Sequence, residues 1–207
     1  MKKIFLVIII LISITSCTSQ NNPKINYKDY SYEFKADNYP KSITDFYKEQ
    51  EKLTELTDRE LAIKMNVDLI LEDLIDNILR YNFIQNVPNL NETGFNKVKS
   101  KLTAYYKAEK NDFYTEKIII DRSQQWIADS IIQSKYKGKI YYDSLIKTPK
   151  PKEAYAKMVL DLIDKNEIEI TDDFLKKEII YRANNYTIDQ EEMKCDFNLI
   201  ESWFKTE

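Results

Sequence analysis

Three acidic side chains, Asp68, Glu72 and Asp76, recur at intervals of four residues. Residues four apart lie on the same side of an α-helix, so the spacing predicts one row of carboxylates, called the acidic stripe below. Carboxylate oxygens bind hard cations such as Ca²⁺, but calcium sites usually draw several ligands from a loop, and no DxDxDG-like loop occurs. A solvated acidic face, with lysines of the next helix as long-range partners, is the favoured interpretation.

Paired carboxylates also carry out glycoside hydrolysis, which needs two acids roughly 5 to 9.5 Å apart across a cleft. The chain contains 34 Asp and Glu residues, and no motif distinguishes one pair from the others. We therefore assign no catalytic residue from the sequence.

The sequence contains no histidine and only two glycines, Gly94 and Gly138. The lack of histidine excludes Ser-His-Asp and Cys-His nucleophile systems, histidine-bound zinc, and the Glu-x-x-His pairs of ferritin-like di-iron centres. Phosphate-binding loops need several glycines at fixed positions, and two do not provide them. We therefore expect neither a metal nor a cofactor.

The N-terminus carries Lys2 and Lys3, then an apolar run over residues 4–12, then small and hydroxylated residues. This order is typical of a secretory signal peptide. A bilayer-spanning helix needs roughly 20 apolar residues, about twice the length of this run. The segment 1–16 is therefore predicted to be a signal peptide rather than a permanent membrane helix.

The four residues Ile14-Thr15-Ser16-Cys17 resemble the lipobox of bacterial lipoproteins, in which an aliphatic residue and two small residues precede a cysteine. The resemblance implies that the Cys17 thiol receives a diacylglyceryl group and that the signal is cut before it. It also implies the outer membrane if the host has one, since Thr18 stands where an aspartate would resemble an inner-membrane retention signal. In a host without an outer membrane, it implies the outer face of the cytoplasmic membrane.

Removal of the signal leaves 29 basic and 34 acidic side chains, because Lys2 and Lys3 are lost. Nucleic-acid-binding proteins carry a basic face, so this balance argues against a nucleic-acid partner. Acylation of Cys17 also leaves Cys195 as the one remaining thiol. It lies beside a predicted helical stripe, which favours a small buried side chain over an intermolecular disulfide.

The periodicity of apolar residues predicts an all-α fold, an irregular bundle of about five to seven amphipathic helices after an extended N-terminal tether. Residues 17–40 form the lipidated tether and an extended segment, in which 18–26 are a polar arm and Tyr30, Tyr32 and Phe34 alternate. The helical domain covers 41–207, with a sub-boundary near 147–152.

Several signals set the expected helix limits. A capping box at Thr57-Asp58-Arg59-Glu60 begins a long helix that ends before Pro88. Further helices are expected over 92–109, 112–135 and 189–205, around Tyr155 to Ile163, and after an N-cap at Thr171, whose helix ends with Arg182. Gly138 is expected to stop the third helix, and residues 139–152 to form an exposed connector.

The leading hypothesis is a non-enzymatic lipoprotein of the cell envelope whose helical domain binds a protein partner, in an assembly, accessory or immunity-type role. Two alternatives stay open from the sequence. One is an envelope enzyme acting on cell-wall glycan through acidic residues, and the other is a lipoprotein that binds a small ligand or lipid in a tyrosine-lined cavity.

Overall fold

The computed structural model describes residues 22–35, 40–86, 92–108, 115–143 and 148–186. These ranges contain seven α-helices, one π-helical segment and five short strands. The α-helices are α1 Lys41–Gln50, α2 Asp58–Asp73, α3 Tyr81–Gln85, α4 Glu92–Ala108, α5 Glu116–Tyr136, α6 Lys152–Asp164 and α7 Asp173–Asn184. The prediction of a mainly helical fold is confirmed, with a small sheet that the periodicity did not predict.

The capping box begins α2, which together with the segments that follow it up to Gln85 forms the longest continuous helical stretch among the described residues. Thr57 accepts a hydrogen bond from the Glu60 backbone, and the Glu60 carboxylate accepts one from the Thr57 backbone. Between α2 and α3 the backbone changes to π-helical turns over Leu74–Arg80, called the π segment below. Extra residues per turn shift which side chains face inward, and such segments are frequent at functional sites.

Helices α2 and α7 lie side by side and run in the same direction. Four polar contacts join them in ascending order along both helices: Arg59 to Asp172 at 2.9 Å, Lys64 to Glu178 at 3.6 Å, Asp68 to Arg182 at 3.4 Å, and Glu72 to Tyr186 just beyond α7. Successive contacts are four to six residues apart along each helix, which is between one and two helical turns. Together they fix the register of the two helices.

The N-terminal part of the chain joins a sheet, which corrects the predicted polar arm over residues 18–26. Strands β1 Lys24–Tyr27 and β2 Tyr30–Glu33 form a hairpin, and β5 Ile168–Ile170 pairs with the other edge of β1. Ile25 is only 1% exposed. Residues 24–26 therefore belong to the folded body, because alternate β1 side chains enter the core.

The predicted exposed connector over 139–152 is also corrected. Strands β3 Tyr141–Asp143 and β4 Thr148–Lys150 form a second antiparallel pair. Ile140, Tyr141, Pro149 and Pro151 are buried. The two prolines misled the prediction, because their lack of an N–H suits short edge strands as well as exposed loops.

Two apolar clusters stabilise the described body. The larger contains residues of β1, α2, the π segment, α5, α6, β5 and α7, so both sides of the proposed boundary at 147–152 contribute to it. The smaller joins α4 to α5 through Leu102, Tyr106, Ile119 and Trp126, together with Ile140.

Two predicted helix signals act in other ways. Asp172, not Thr171, caps α7, since its carboxylate accepts a hydrogen bond from the Leu175 backbone at 2.8 Å. The Thr171 hydroxyl accepts one from the Lys24 backbone at 3.0 Å.

Helix α5 ends at Tyr136, two residues before Gly138. A Cβ at position 138 would lie 3.0 Å from the Cβ of Glu153 in α6. Gly138 thus allows close approach to α6.

Cys17, the signal segment 1–16, Cys195 and the predicted helix over 189–205 lie outside the described residues. Within the described ranges, no helix combines the length and apolar character needed to cross a bilayer.

Candidate functional site

The centre of the helical body holds a buried triad of Arg80, Asp129 and Tyr155. Arg80 ends the π segment, Asp129 lies in α5 and Tyr155 lies in α6. The Arg80 guanidinium donates two hydrogen bonds to Asp129, from Nε at 3.0 Å and Nη2 at 2.6 Å. The Tyr155 hydroxyl donates a third to the same carboxylate at 3.0 Å. The triad therefore joins three helical elements at one point.

The electrostatics of the triad suit a structural role. Burial has the largest single effect on the pKa of Arg80 and would lower it, but attraction by the Asp129 carboxylate, its hydrogen bonds and smaller contributions from neighbouring groups together raise that pKa. Burial and, next, the Asp129 carboxylate raise the pKa of Tyr155 well above its usual range. The phenol therefore stays protonated at neutral pH and the guanidinium stays charged. Neither group can serve as a general base there.

The acidic stripe separates into two environments, which corrects the predicted solvated face. The Asp68 side chain is 68% exposed and pairs with Arg182. Glu72 and Asp76 are partly buried beneath the β4–α6 junction. Their partners are lysines of that junction and not of the next helix along the chain.

Lys150 and Lys152 contact the two inner carboxylates of the stripe. Lys152 pairs with Glu72 and lies 3.6 Å from Asp76, and Lys150 lies 3.4 Å from Asp76. The Tyr186 hydroxyl also donates to Glu72. Burial and then this hydrogen bond raise the pKa of Tyr186. The cluster therefore holds the β4–α6 junction and the end of the described chain against the end of α2 and the start of the π segment.

One oxygen in this cluster differs from the rest. Oδ1 of Asp76 is buried and has no hydrogen-bond partner among the described residues. No group of three or more Asp, Glu, Cys or His side chains in the described ranges is arranged to hold a metal ion. The Asp76 carboxylate is instead neutralised by Lys150 and Lys152.

The sequence reasoning missed Arg80 and Asp129. Asp129 lies three residues after Trp126 and three before Ile132, and all three are buried on α5. A charged residue inside an apolar periodicity is the signal that could have indicated a buried ion pair. Arg80 gave no such signal, because the π segment changes which residues face inward.

No known protein family, characterised protein or solved structure matches this chain.

Exposed apolar side chains mark two other surfaces. On the outer side of the α2–α7 pair, Leu69 is 70% exposed and Tyr181 is 59% exposed. They are the chain neighbours of Asp68 and Arg182, and these four residues are called the outer α2–α7 face.

The second surface is on α1, where Ile43, Phe46 and Tyr47 are exposed at helical spacing. These three residues are called the α1 apolar stripe.

A surface cluster between α5 and α6 predicts how the stability of the fold changes at acidic pH. The Asp161 carboxylate accepts hydrogen bonds from Lys165 at 2.8 Å and Tyr136 at 2.6 Å. These two bonds, that of Lys165 first, lower the pKa of Asp161 to about 2. A lowered carboxyl pKa stabilises the fold above the unfolded-state pKa of about 4, and this contribution is lost as the pH falls through the folded-state value.

We expect an NMR titration to place the Asp161 midpoint near pH 2, and Lys165→Gln to raise it. Lys157→Gln is the matched control, because Lys157 pairs with Glu153 at 3.3 Å in the same helix. An Asp161 midpoint that does not move in Lys165→Gln would contradict the assignment.

Proposed function

We propose that the protein is a membrane-anchored lipoprotein of the cell envelope, non-enzymatic, whose helical domain binds a protein partner. Lipidation at Cys17, supported by the lipobox resemblance, would hold the domain at the outer membrane if the host has one, and otherwise at the outer face of the cytoplasmic membrane. The partner role would be that of an assembly factor, an accessory subunit or an immunity-type inhibitor.

The observation that carries the partner role is the composition of the outer α2–α7 face. It presents an exposed leucine and tyrosine beside an ion pair whose side chains are 68% and 38% exposed. Tyrosine and arginine are enriched in the residues that dominate binding energy at protein interfaces. The parallel contacts between α2 and α7 hold these side chains on a rigid support, which lowers the entropy lost on binding.

The chemistry of the inner polar groups also favours binding over catalysis. Both carboxylate oxygens of Asp129 are used by Arg80 and Tyr155, and Tyr155 keeps its proton at neutral pH. Glu72 and Asp76 are paired with lysines. These groups hold helices together and offer no free acid and base pair.

Crosslinking in intact cells tests the partner role. A photoreactive amino acid at Leu69 is expected to give one crosslinked protein species, with a yield that Tyr181→Ser lowers about tenfold, the loss typical of an interface aromatic. Tyr81→Ser is the matched control, because Tyr81 is 54% exposed at another site and its loss should leave the yield unchanged. Equal losses in both variants, or no crosslinked species, would refute the assignment.

Labelling with a fatty acid tests the anchor separately. Cys17→Ser is expected to abolish incorporation of labelled fatty acid into the protein, because the thiol is the proposed attachment point. Cys195→Ser is the control and should incorporate as much label as the unaltered chain. Incorporation that persists in Cys17→Ser would remove the proposed anchor.

A further inference from the structure

We propose that the α1 apolar stripe rests in the surface of the membrane to which Cys17 is anchored. This inference builds on the proposed function, since it uses the lipid at Cys17 to bring the body to the membrane. Helix α1 contacts the lipid surface, and the outer α2–α7 face remains available to the protein partner.

The way α1 packs leaves its apolar side outward. Thr44 is fully buried toward the body, and Lys48 contacts Asp58 at the start of α2 with Nζ–Oδ1 at 2.7 Å. Ile43, Phe46 and Tyr47 lie on a different side of the helix and are 41%, 58% and 39% exposed. A helix that turns a threonine and a lysine to the body and an aromatic stripe outward is the reverse of an ordinary surface helix.

The short chain between Cys17 and the body limits where α1 can be. Pro23 lies directly before β1 and is tied to the hairpin, since its carbonyl accepts a hydrogen bond from the Phe34 backbone at 2.9 Å. The six residue steps from Cys17 to Pro23 span at most about 20 Å. The lipid therefore keeps the open end of the β1–β2 hairpin close to the membrane surface.

The same end of the hairpin leads into α1. Lys24 pairs with Glu33, so the beginning of β1 and the end of β2 lie together. The Lys24 backbone also donates to Thr171 at 3.0 Å. The next residue, Asp172, pairs with Arg59, and the residue before Arg59, Asp58, pairs with Lys48 of α1. The hairpin turn is at the opposite end, where Lys28 donates to Asn82 at 3.2 Å, beside Tyr81. Helix α1 is thus near the anchor, whereas Tyr81 lies toward the far end of the hairpin.

The charge of α1 indicates whether it binds through the charge of the lipid headgroups or through insertion of its apolar side chains. Its ten residues carry two lysines, Lys41 and Lys48, and two acids, Asp45 and Glu49. A helix without net charge gains little from anionic headgroups, so insertion of the apolar stripe supplies the binding. We expect contact with zwitterionic and anionic phospholipids alike.

Photocrosslinking of the full-length chain in cells grown with labelled phosphate tests the proposal. A photoreactive amino acid at Phe46 is expected to capture phospholipid, seen as label that phospholipase C releases. The diacylglyceryl group on Cys17 carries no phosphate and does not interfere. The same amino acid at Tyr81 should capture none above background. A protein adduct at Phe46, or equal lipid capture at both positions, would overturn the proposal.

A second variant tests whether lipid capture at Phe46 depends on the neighbouring apolar side chains of the stripe. Ile43→Ser with Tyr47→Ser is expected to lower lipid capture at Phe46 about tenfold, because two side chains leave the apolar stripe. Both residues are exposed, so thermal unfolding of this variant should match that of the unaltered chain. Unchanged lipid capture in this variant would contradict insertion of the stripe.

Fatty-acid labelling of the same cells separates this inference from the proposed function. Acylated protein without lipid capture at Phe46 overturns the inference and leaves the anchor in place. Absence of acylation overturns the anchor, and with it the argument from chain length, whatever is captured at Phe46.

Discussion

Asp129→Ala is expected to lower the free energy of unfolding by about 3–5 kcal/mol, the cost of leaving a buried charge without its partner. The Asp129 side chain is fully buried, and that of Arg80 is 9% exposed. The substitution removes the acceptor for two Arg80 hydrogen bonds and one Tyr155 hydrogen bond. Urea unfolding followed by circular dichroism measures the loss.

The matched control is Glu116→Ala. Glu116 also forms a close ion pair in α5, with Lys99 at 2.9 Å, but its side chain is 77% exposed. Exposed ion pairs contribute less than about 1 kcal/mol, so the two substitutions should differ severalfold. If Asp129→Ala costs no more than Glu116→Ala, the triad does not join the three helices.

A double substitution distinguishes the charge from the packing. Arg80→Met with Asp129→Leu removes both charges and keeps the volumes similar, so it should be more stable than Asp129→Ala alone. A double variant that is as unstable as Asp129→Ala would show that the shape of the triad, and not the unpaired guanidinium, sets the cost.

Ile25→Ala is expected to lower the free energy of unfolding by about 2–5 kcal/mol, as for other large-to-small substitutions in a core. Ile25 is 1% exposed and lies on the central strand of the sheet, opposite Tyr32 on one side and Ile170 on the other. The same denaturation measurement applies. This result would place β1 within the cooperative unit of the fold.

Ile43→Ala is the control for this prediction, since it is the same substitution on the exposed α1 apolar stripe. Ile43 is 41% exposed, so its loss should change stability by no more than about 0.5 kcal/mol. Equal effects at positions 25 and 43 would mean that residues 24–26 belong to a free arm, as the sequence predicted for residues 18–26.

Local sequence signals predicted the helices well. The capping box at Thr57 and Glu60 begins α2 as expected, and α4 begins at Glu92 as expected. These features depend on residues within one or two helical turns of each other. A single sequence contains that information.

Features that depend on distant partners were missed. Strand β1 is the central strand of its sheet, and one of its two partners, β5, lies more than 140 residues later in the chain. The polar composition of residues 18–26 therefore resembled a free arm. Likewise, Lys150 and Lys152 read as exposed until the fold placed them beside Glu72 and Asp76.

Packing also decided which charges are buried. Asp129 lies inside an apolar periodicity, but its partner Arg80 is 49 residues away in the chain and was indistinguishable from a surface charge. The α1 apolar stripe is the opposite case, because apolar side chains at helical spacing usually face a core, whereas Ile43, Phe46 and Tyr47 are exposed. Such reversals arise where another surface is expected to cover the helix.

Mass spectrometry of the N-terminal peptide, from protein purified from its own cells, tests the central claim most directly. The proposal predicts a chain that begins at Cys17 and carries a diacylglyceryl group on that residue, seven residues before β1 begins at Lys24. A chain that retains residues 1–16, or one that begins elsewhere with an unmodified Cys17, would contradict a lipid anchor joined to the folded body.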